Sequence, residues 1–168
     1  SFIAHLIALE KRDRGALATL RHSLAFEPGT YVKAFPHVER FADAARHERD
    51  PYRLALYLGA GLFARHPHTH ERSFATALGE LMRKRESQSI EGRFVALLSA
   101  DAENIAQYLR QAISLLASDN LGLNYAHLLR DLSVWLNPNI DPSRLRQQWA
   151  RDFYRAVAPI PAESTDTE

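Results

Sequence analysis

The 168-residue sequence contains no cysteine. Disulfides, thiolate metal ligands and a cysteine nucleophile are therefore excluded, in agreement with a cytoplasmic setting. Long apolar runs are missing too. No stretch approaches the roughly 18 residues of a membrane span, so no membrane partner is expected. Glycine is scarce, with seven residues, and no glycine-rich phosphate loop can be assembled from them. GxSxG, HExxH and the DxDxDG calcium loop are likewise absent. No arrangement unites a nucleophile, a base and an oxyanion donor, so we expect neither enzymatic activity nor a cofactor. Strict apolar–polar alternation and internal repeats are also lacking, which argues against strands and solenoids.

What is present is ordinary globular chemistry: 46% apolar and 24% charged residues. The length suits one core, or two small helical lobes that share one. The net charge of +1 conceals an uneven distribution. Glu163, Asp166 and Glu168 lie in the last six residues, leaving 21 cations against 17 anions through residue 162, a net of +4. The apolar opening, Ser1–Leu9, shows no basic stretch before it and no small-residue cleavage site after it, so we do not expect it to be a signal-peptide core. We expect Phe2–Leu9 to belong to a first helix whose native start lies upstream of Ser1.

Helical periodicity runs through the rest. Asp13 can cap a helix carrying Leu17, Leu20 and Leu24, stopped by Glu27-Pro28-Gly29. Asp50-Pro51 opens another over Tyr52–Arg65. That helix is apolar on more than one side, and Gly59 and Gly61 would admit a close neighbour, so it should be central and the most buried. Phe74, Leu78, Leu81 and Met82 mark the next, ending in Arg83-Lys84-Arg85, cations that complement the helix dipole. Ile90, Phe94, Leu97 and Leu98 follow the helical template, as do Ile105, Leu109, Ile113 and Leu116, with Asp101 a cap between them. Tyr125–Leu136 forms another stripe, ended by Asn137-Pro138, and Asp141-Pro142 starts the last helix. The expected fold is an all-α bundle of about eight helices in two packed lobes, residues 1–86 and 87–160. A disordered acidic tail is expected over 161–168.

Arginines supply the candidate sites. On the last helix Arg144, Arg151 and Arg155 fall within about 20° of one meridian, while Leu145, Trp149 and Phe153 centre roughly 140° away. Guanidinium forks grip phosphate oxygens without reading sequence. The alternative is a solvated face balanced by Asp141 and Asp152. Arg93 and Arg110 each flank an apolar stripe and can project into a groove between helices; alternatively they pair with Glu91 or Asp131. Arg53 stands in the first turn of its helix, against the dipole, a departure that hints at function. Lys11, Arg12, Arg14, Arg21 and Lys33 form a further cationic cluster, diluted by Glu10, Asp13 and Glu27. His66-Pro67-His68-Thr69-His70 has metal-like spacing but only Glu71 as a nearby carboxylate; a polar loop between helices explains it as well. The pairs Asp43/His47 and His127/Asp131 suit helix surfaces rather than catalysis. Trp135 and Trp149 lie on core stripes, so base stacking is not their first role.

Taken together, three segments resemble the small subunit of the type I-E CRISPR Cascade complex, the CasB family. They are RHSLAFEPGTYVKAFPHVERF (Arg21–Phe41), SIEGRFVALLSADAENIAQYLRQAISLL (Ser89–Leu116), and HLLRDLSVW followed by QQWARDFY. The likeness covers nearly the whole chain apart from the acidic tail. It implies a non-catalytic subunit acting in antiviral defence, two copies of which lie head to tail in an RNA-guided complex. It also implies contact with the backbone and large subunits and the guide RNA, and stabilisation of the opened DNA, including the displaced non-target strand. Carried over by position, Arg53, Arg93 and Arg110 match basic positions of the family's helices, and Arg144 lies in its final helical segment. Gly92 stands where many relatives carry a further cation. A protein–protein scaffold without nucleic-acid contact is the competing reading. A metal-dependent hydrolase built on His66, His68 and His70 is the third.

Overall fold

Asp50 and Pro51 open the helix on which the others pack. Asp50 accepts the Arg53 backbone N–H at 3.1 Å, satisfying one orphan donor, and proline occupies the first turn. In the computed structural model, which describes residues 1–158, this helix is α4 (Pro51–Arg65). Every residue from Ala55 to Ala64 is buried, as its two-sided apolar pattern requires. A Cβ on Gly59 would overlap Leu129 of α8 (Tyr125–Trp135), and one on Gly61 would lie 2.6 Å from Leu24. At both glycines a neighbouring side chain approaches the α4 backbone closely.

Around it the chain builds α1 (Phe2–Arg12), α2 (Arg14–His22), the single turn α3 (Phe35–Val38), α5 (Phe74–Arg85), α6 (Gln88–Leu98), α7 (Ile105–Ser118), α8 and α9 (Ser143–Val157). Among the described residues these make nine helices, one more than expected; the extra is α3, too short to show a period. It sits among three 3₁₀ turns at Ser23–Ala25, Val32–Ala34 and Glu39–Phe41. Asp13 caps α2 as expected, accepting from Ala16 N at 2.9 Å. Asp101 caps a turn just ahead of α7, accepting from Asn104 N at 3.0 Å. Residues 42–50 are not helical, so Asp43 and His47 do not share a helix face: Asp43 accepts from Ala45 N and His47 from Arg49 N.

The most extensive helix pairing joins α5 to α9, followed by α4 to α8. Phe74, Trp135 and Trp149 meet at centroid distances of 5.2 and 4.9 Å, and Phe94 stacks on Phe153 at 4.0 Å. Burying such rings contributes on the order of 1.5–3 kcal/mol each. Both indoles also find acceptors, Trp135 in the Ala100 carbonyl at 3.0 Å and Trp149 in Asp131 at 2.7 Å. The turn at the expected lobe boundary contains Glu86 in the left-handed region, φ +53°. Buried apolar residues on both sides of it, from Phe2 to Phe153, form one cluster. The expected acidic tail, 161–168, lies outside the described residues.

The histidine-rich segment docks the two halves together. Thr69 and Leu123 form an isolated parallel bridge, flanked by Leu123 N to His68 O at 3.2 Å and His70 N to Leu123 O at 2.9 Å. His66 is buried, its Nε2 2.6 Å from the Leu121 carbonyl, and burial lowers its pKa. His68 Nδ1 meets Asn120 at 3.0 Å. The imidazoles thus serve as loop fasteners, and among the described residues no group of three His, Asp or Glu side chains is placed to hold an ion.

Candidate nucleic-acid interface

Three helices bring cations to one concavity. Arg65 ends α4, Arg93 stands midway along α6 and Arg110 midway along α7; together they line a groove of about 500 Å³. Gln107, Gln111, Ser114 and Ser118, from the solvent side of α7, complete its polar wall, and among the described residues no carboxylate lines it. All three arginines are exposed. Among the described residues none of them has an ion-pair partner. Arg110 Nη1 donates to the Leu24 carbonyl at 3.3 Å, which orients the head without neutralising it.

The two acids that the sequence offered as partners, Glu91 and Asp131, are engaged elsewhere. Glu91 accepts the Tyr154 hydroxyl at 3.0 Å. Asp131 accepts from Trp149 and lies 3.4 Å from His127 Nδ1; burial raises its pKa, against the opposing pull of the indole hydrogen bond. Glu91 and Arg93 project about 200° apart around α6. The carboxylate therefore serves the α9 side and the guanidinium the α7 side, with α6 between them.

A second cationic surface runs along α9. Arg144, Arg151 and Arg155 are exposed, while Trp149 and Phe153 are buried on the opposite side, as the helical wheel requires. The proposed balancing acids do not balance them. Asp152 accepts from Ser73 Oγ at 3.0 Å and Gln148 at 2.9 Å, and Asp141 accepts from Ser143 N at 3.0 Å. The Arg83-Lys84-Arg85 run differs: Arg85 and Lys84 reach Asp119 at 2.8 and 3.8 Å, and the Arg85 hydrogen bond holds that carboxyl below its usual range. Arg21 and Lys33 are exposed but do not line the groove.

Arg53 is not at the surface. Its side chain is 7% exposed, and each of its five N–H donors has an acceptor. Nε and Nη2 grip the two Glu39 oxygens at 3.0 Å each, Nη1 reaches the Glu48 carbonyl at 2.8 Å, and both Nη atoms lie 3.4 Å from the Gly29 carbonyl. The guanidinium also lies 4.8 Å from the Tyr57 ring centroid and 5.3 Å from that of Phe35. Burial opposes the charge, but the Glu39 contacts outweigh it and raise the Arg53 pKa. The first-turn cation is thus a clasp for the Pro28-Gly29 turn and the Glu39 segment, which corrects the expectation that it faces a phosphate.

Arg65 is the residue that sequence reasoning passed over. In the last turn of a helix an arginine is fully explained by the dipole, and only packing shows that α4 ends beside α6 and α7.

The family model described as CRISPR-associated protein Cse2 matches residues 16–154. The chain belongs to this Cse2 family. A CRISPR-associated protein Cse2 from Thermus thermophilus is 39% identical over 161 residues, covering 95% of this chain and 90% of its own. The crystal structure of a Cse2-family protein from the same organism superposes with a TM-score of 0.77 at 39% identity, covering 92% of this chain and 96% of that one. A chain of a CRISPR RNA-guided surveillance complex has the same fold, with a TM-score of 0.75 at 19% identity, covering 94% and 95%. The Cse2 fold is therefore the frame on which the two arginine surfaces sit.

Proposed function

We propose that this Cse2-family chain is the non-catalytic small subunit of a cytoplasmic RNA-guided CRISPR surveillance complex. In this reading the Arg65–Arg93–Arg110 groove and the Arg144–Arg151–Arg155 stripe hold nucleic acid by its sugar-phosphate backbone. They stabilise the DNA opened against a guide RNA, including the displaced strand. Exchanging a DNA duplex for a guide–target hybrid is nearly balanced in energy, so a few sequence-blind cationic contacts can tip it. Partners would be the backbone and large subunits, the guide RNA, both DNA strands and a second copy of the chain.

The observation that carries this reading is the groove itself: three exposed arginines from three helices, with neither an ion-pair partner nor a lining carboxylate among the described residues. Scaffolding is favoured by one feature, the exposure of Phe26 (47%) and Val32 (69%) on the segment after α2, which suits protein contact. A salt titration separates the two. With single-stranded DNA, replacing Arg65, Arg93 and Arg110 together by glutamine should reduce the slope of log affinity against log salt by about 2, at roughly 0.7 per lost phosphate contact. An unchanged slope, with unchanged target capture by the assembled complex, rejects the groove as a nucleic-acid contact.

A further inference from the structure

Beside the cationic groove lies a second concavity of different chemistry. Between α6 and α7 is a cleft of about 290 Å³, walled by apolar side chains that include Leu78, Ile90, Ala96 and Ala112. Tyr108 supplies one half-buried aromatic wall. The two concavities adjoin, with Arg93, Gln111 and Leu115 lining both. Neither the Gln111 amide nor the Tyr108 hydroxyl has a hydrogen-bond partner among the described residues. The volume sits at the lower limit of ligand pockets, too small for a folded partner element and suited to one planar group.

We infer that this cleft receives one unpaired base of a single-stranded nucleic acid whose phosphates lie on Arg93, Arg110 and Arg65. The inference rests on the backbone-binding reading and adds a site to it. Charge complementarity selects the occupant: Arg93 lines both the cleft and the groove, so a planar group that enters beside it is best carried by a polyanion. Duplex bases are already stacked and paired, whereas single strands present a free π-face to an aromatic wall. Gln111, with one acceptor and two donors, can meet the edge of any base, which keeps the site tolerant of sequence.

The test compares a single-stranded oligonucleotide with a phosphodiester of equal length in which every nucleoside is an abasic tetrahydrofuran, both titrated into the full chain at low salt. The expected result is about fivefold or greater weakening without bases, the low end of one stacked base, at an equal salt slope. Ala96→Phe, which fills the cleft from its exposed wall, should bring the natural strand down to the abasic affinity and leave abasic binding unchanged. Ala96→Leu should act in the same direction to a smaller degree, and a thermal melt verifies the fold of each. Equal affinity for the two strands, or Ala96→Phe weakening neither, overturns the base site while the backbone reading stands. Binding of neither strand at low salt removes the backbone reading, and the base site with it.

Discussion

Replacing Arg53 by alanine discriminates sharply between the two roles an arginine can have here. The substitution strands Glu39, the Glu48 carbonyl and the Gly29 carbonyl, and removes a cation from between two rings. The Glu39 side chain is 45% exposed, so its carboxylate regains water and contributes little after screening. The two carbonyls lose donors in a partly buried setting, and the Tyr57 and Phe35 contacts add a smaller term. Together they amount to roughly 2–4 kcal/mol. For a chain of this length that lowers the melting temperature by about 5–12 °C. Arg53→Lys keeps the charge but not the fork, and should lose about half as much.

Acidification adds an independent readout. The Arg53 hydrogen bond holds the Glu39 carboxyl below its ordinary value of 4.5. A carboxyl depressed in the folded state stabilises above that ordinary value, and the contribution disappears as pH falls through the folded one. The unmodified chain should therefore lose stability as pH drops below 4.5, and Arg53→Ala should lose less over the same window. The assay is thermal unfolding from about pH 7 to about pH 3, alongside DNA binding at neutral pH. A melt within about 0.5 kcal/mol of the parent, combined with lost DNA affinity, would refute the clasp and restore Arg53 as a phosphate contact.

Charge reversal at Arg93, Arg110 and Arg144 should leave the melt within about 0.5 kcal/mol while weakening capture of target DNA by the assembled complex, measured by gel shift. Two glycine-to-alanine changes should move stability in opposite directions. At Gly79 a Cβ would overlap the Phe153 carbonyl and lie 2.8 Å from Ala156 Cβ, so the α5–α9 contact must open at a cost of about 1–3 kcal/mol. At Gly92 the Cβ meets nothing within 4 Å, and alanine should add about 0.5–1 kcal/mol by helix propensity; denaturant midpoints read both. Expressed alone, residues 1–86 should lack a cooperative unfolding transition by circular dichroism, because α4 and α5 leave their α8- and α9-facing sides uncovered.

Much of the fold was legible because periodicity and caps are local. Asp13 and Asp50 each bond a backbone N–H three residues on, and the α9 wheel correctly separates Trp149 and Phe153 from the arginine stripe. What stayed hidden depends on which neighbour meets which face. A helical wheel gives an angle around one axis; it does not say whether a cation at that angle meets solvent, an acid or a carbonyl cage. Arg53 and Arg65 show the consequence from opposite ends of α4. Arg53 stands out in the sequence because it opposes the dipole, yet the fold places Glu39 and two carbonyls around it. Arg65 passes unnoticed because it favours the dipole, yet among the described residues it has no ion-pair partner where α6 and α7 bring two more cations. Local electrostatic preference therefore carries no sign for function on α4. The deciding quantity is whether the partner a charge needs arrives from elsewhere in the chain, and an arginine whose partner never arrives is the one left available to a phosphate.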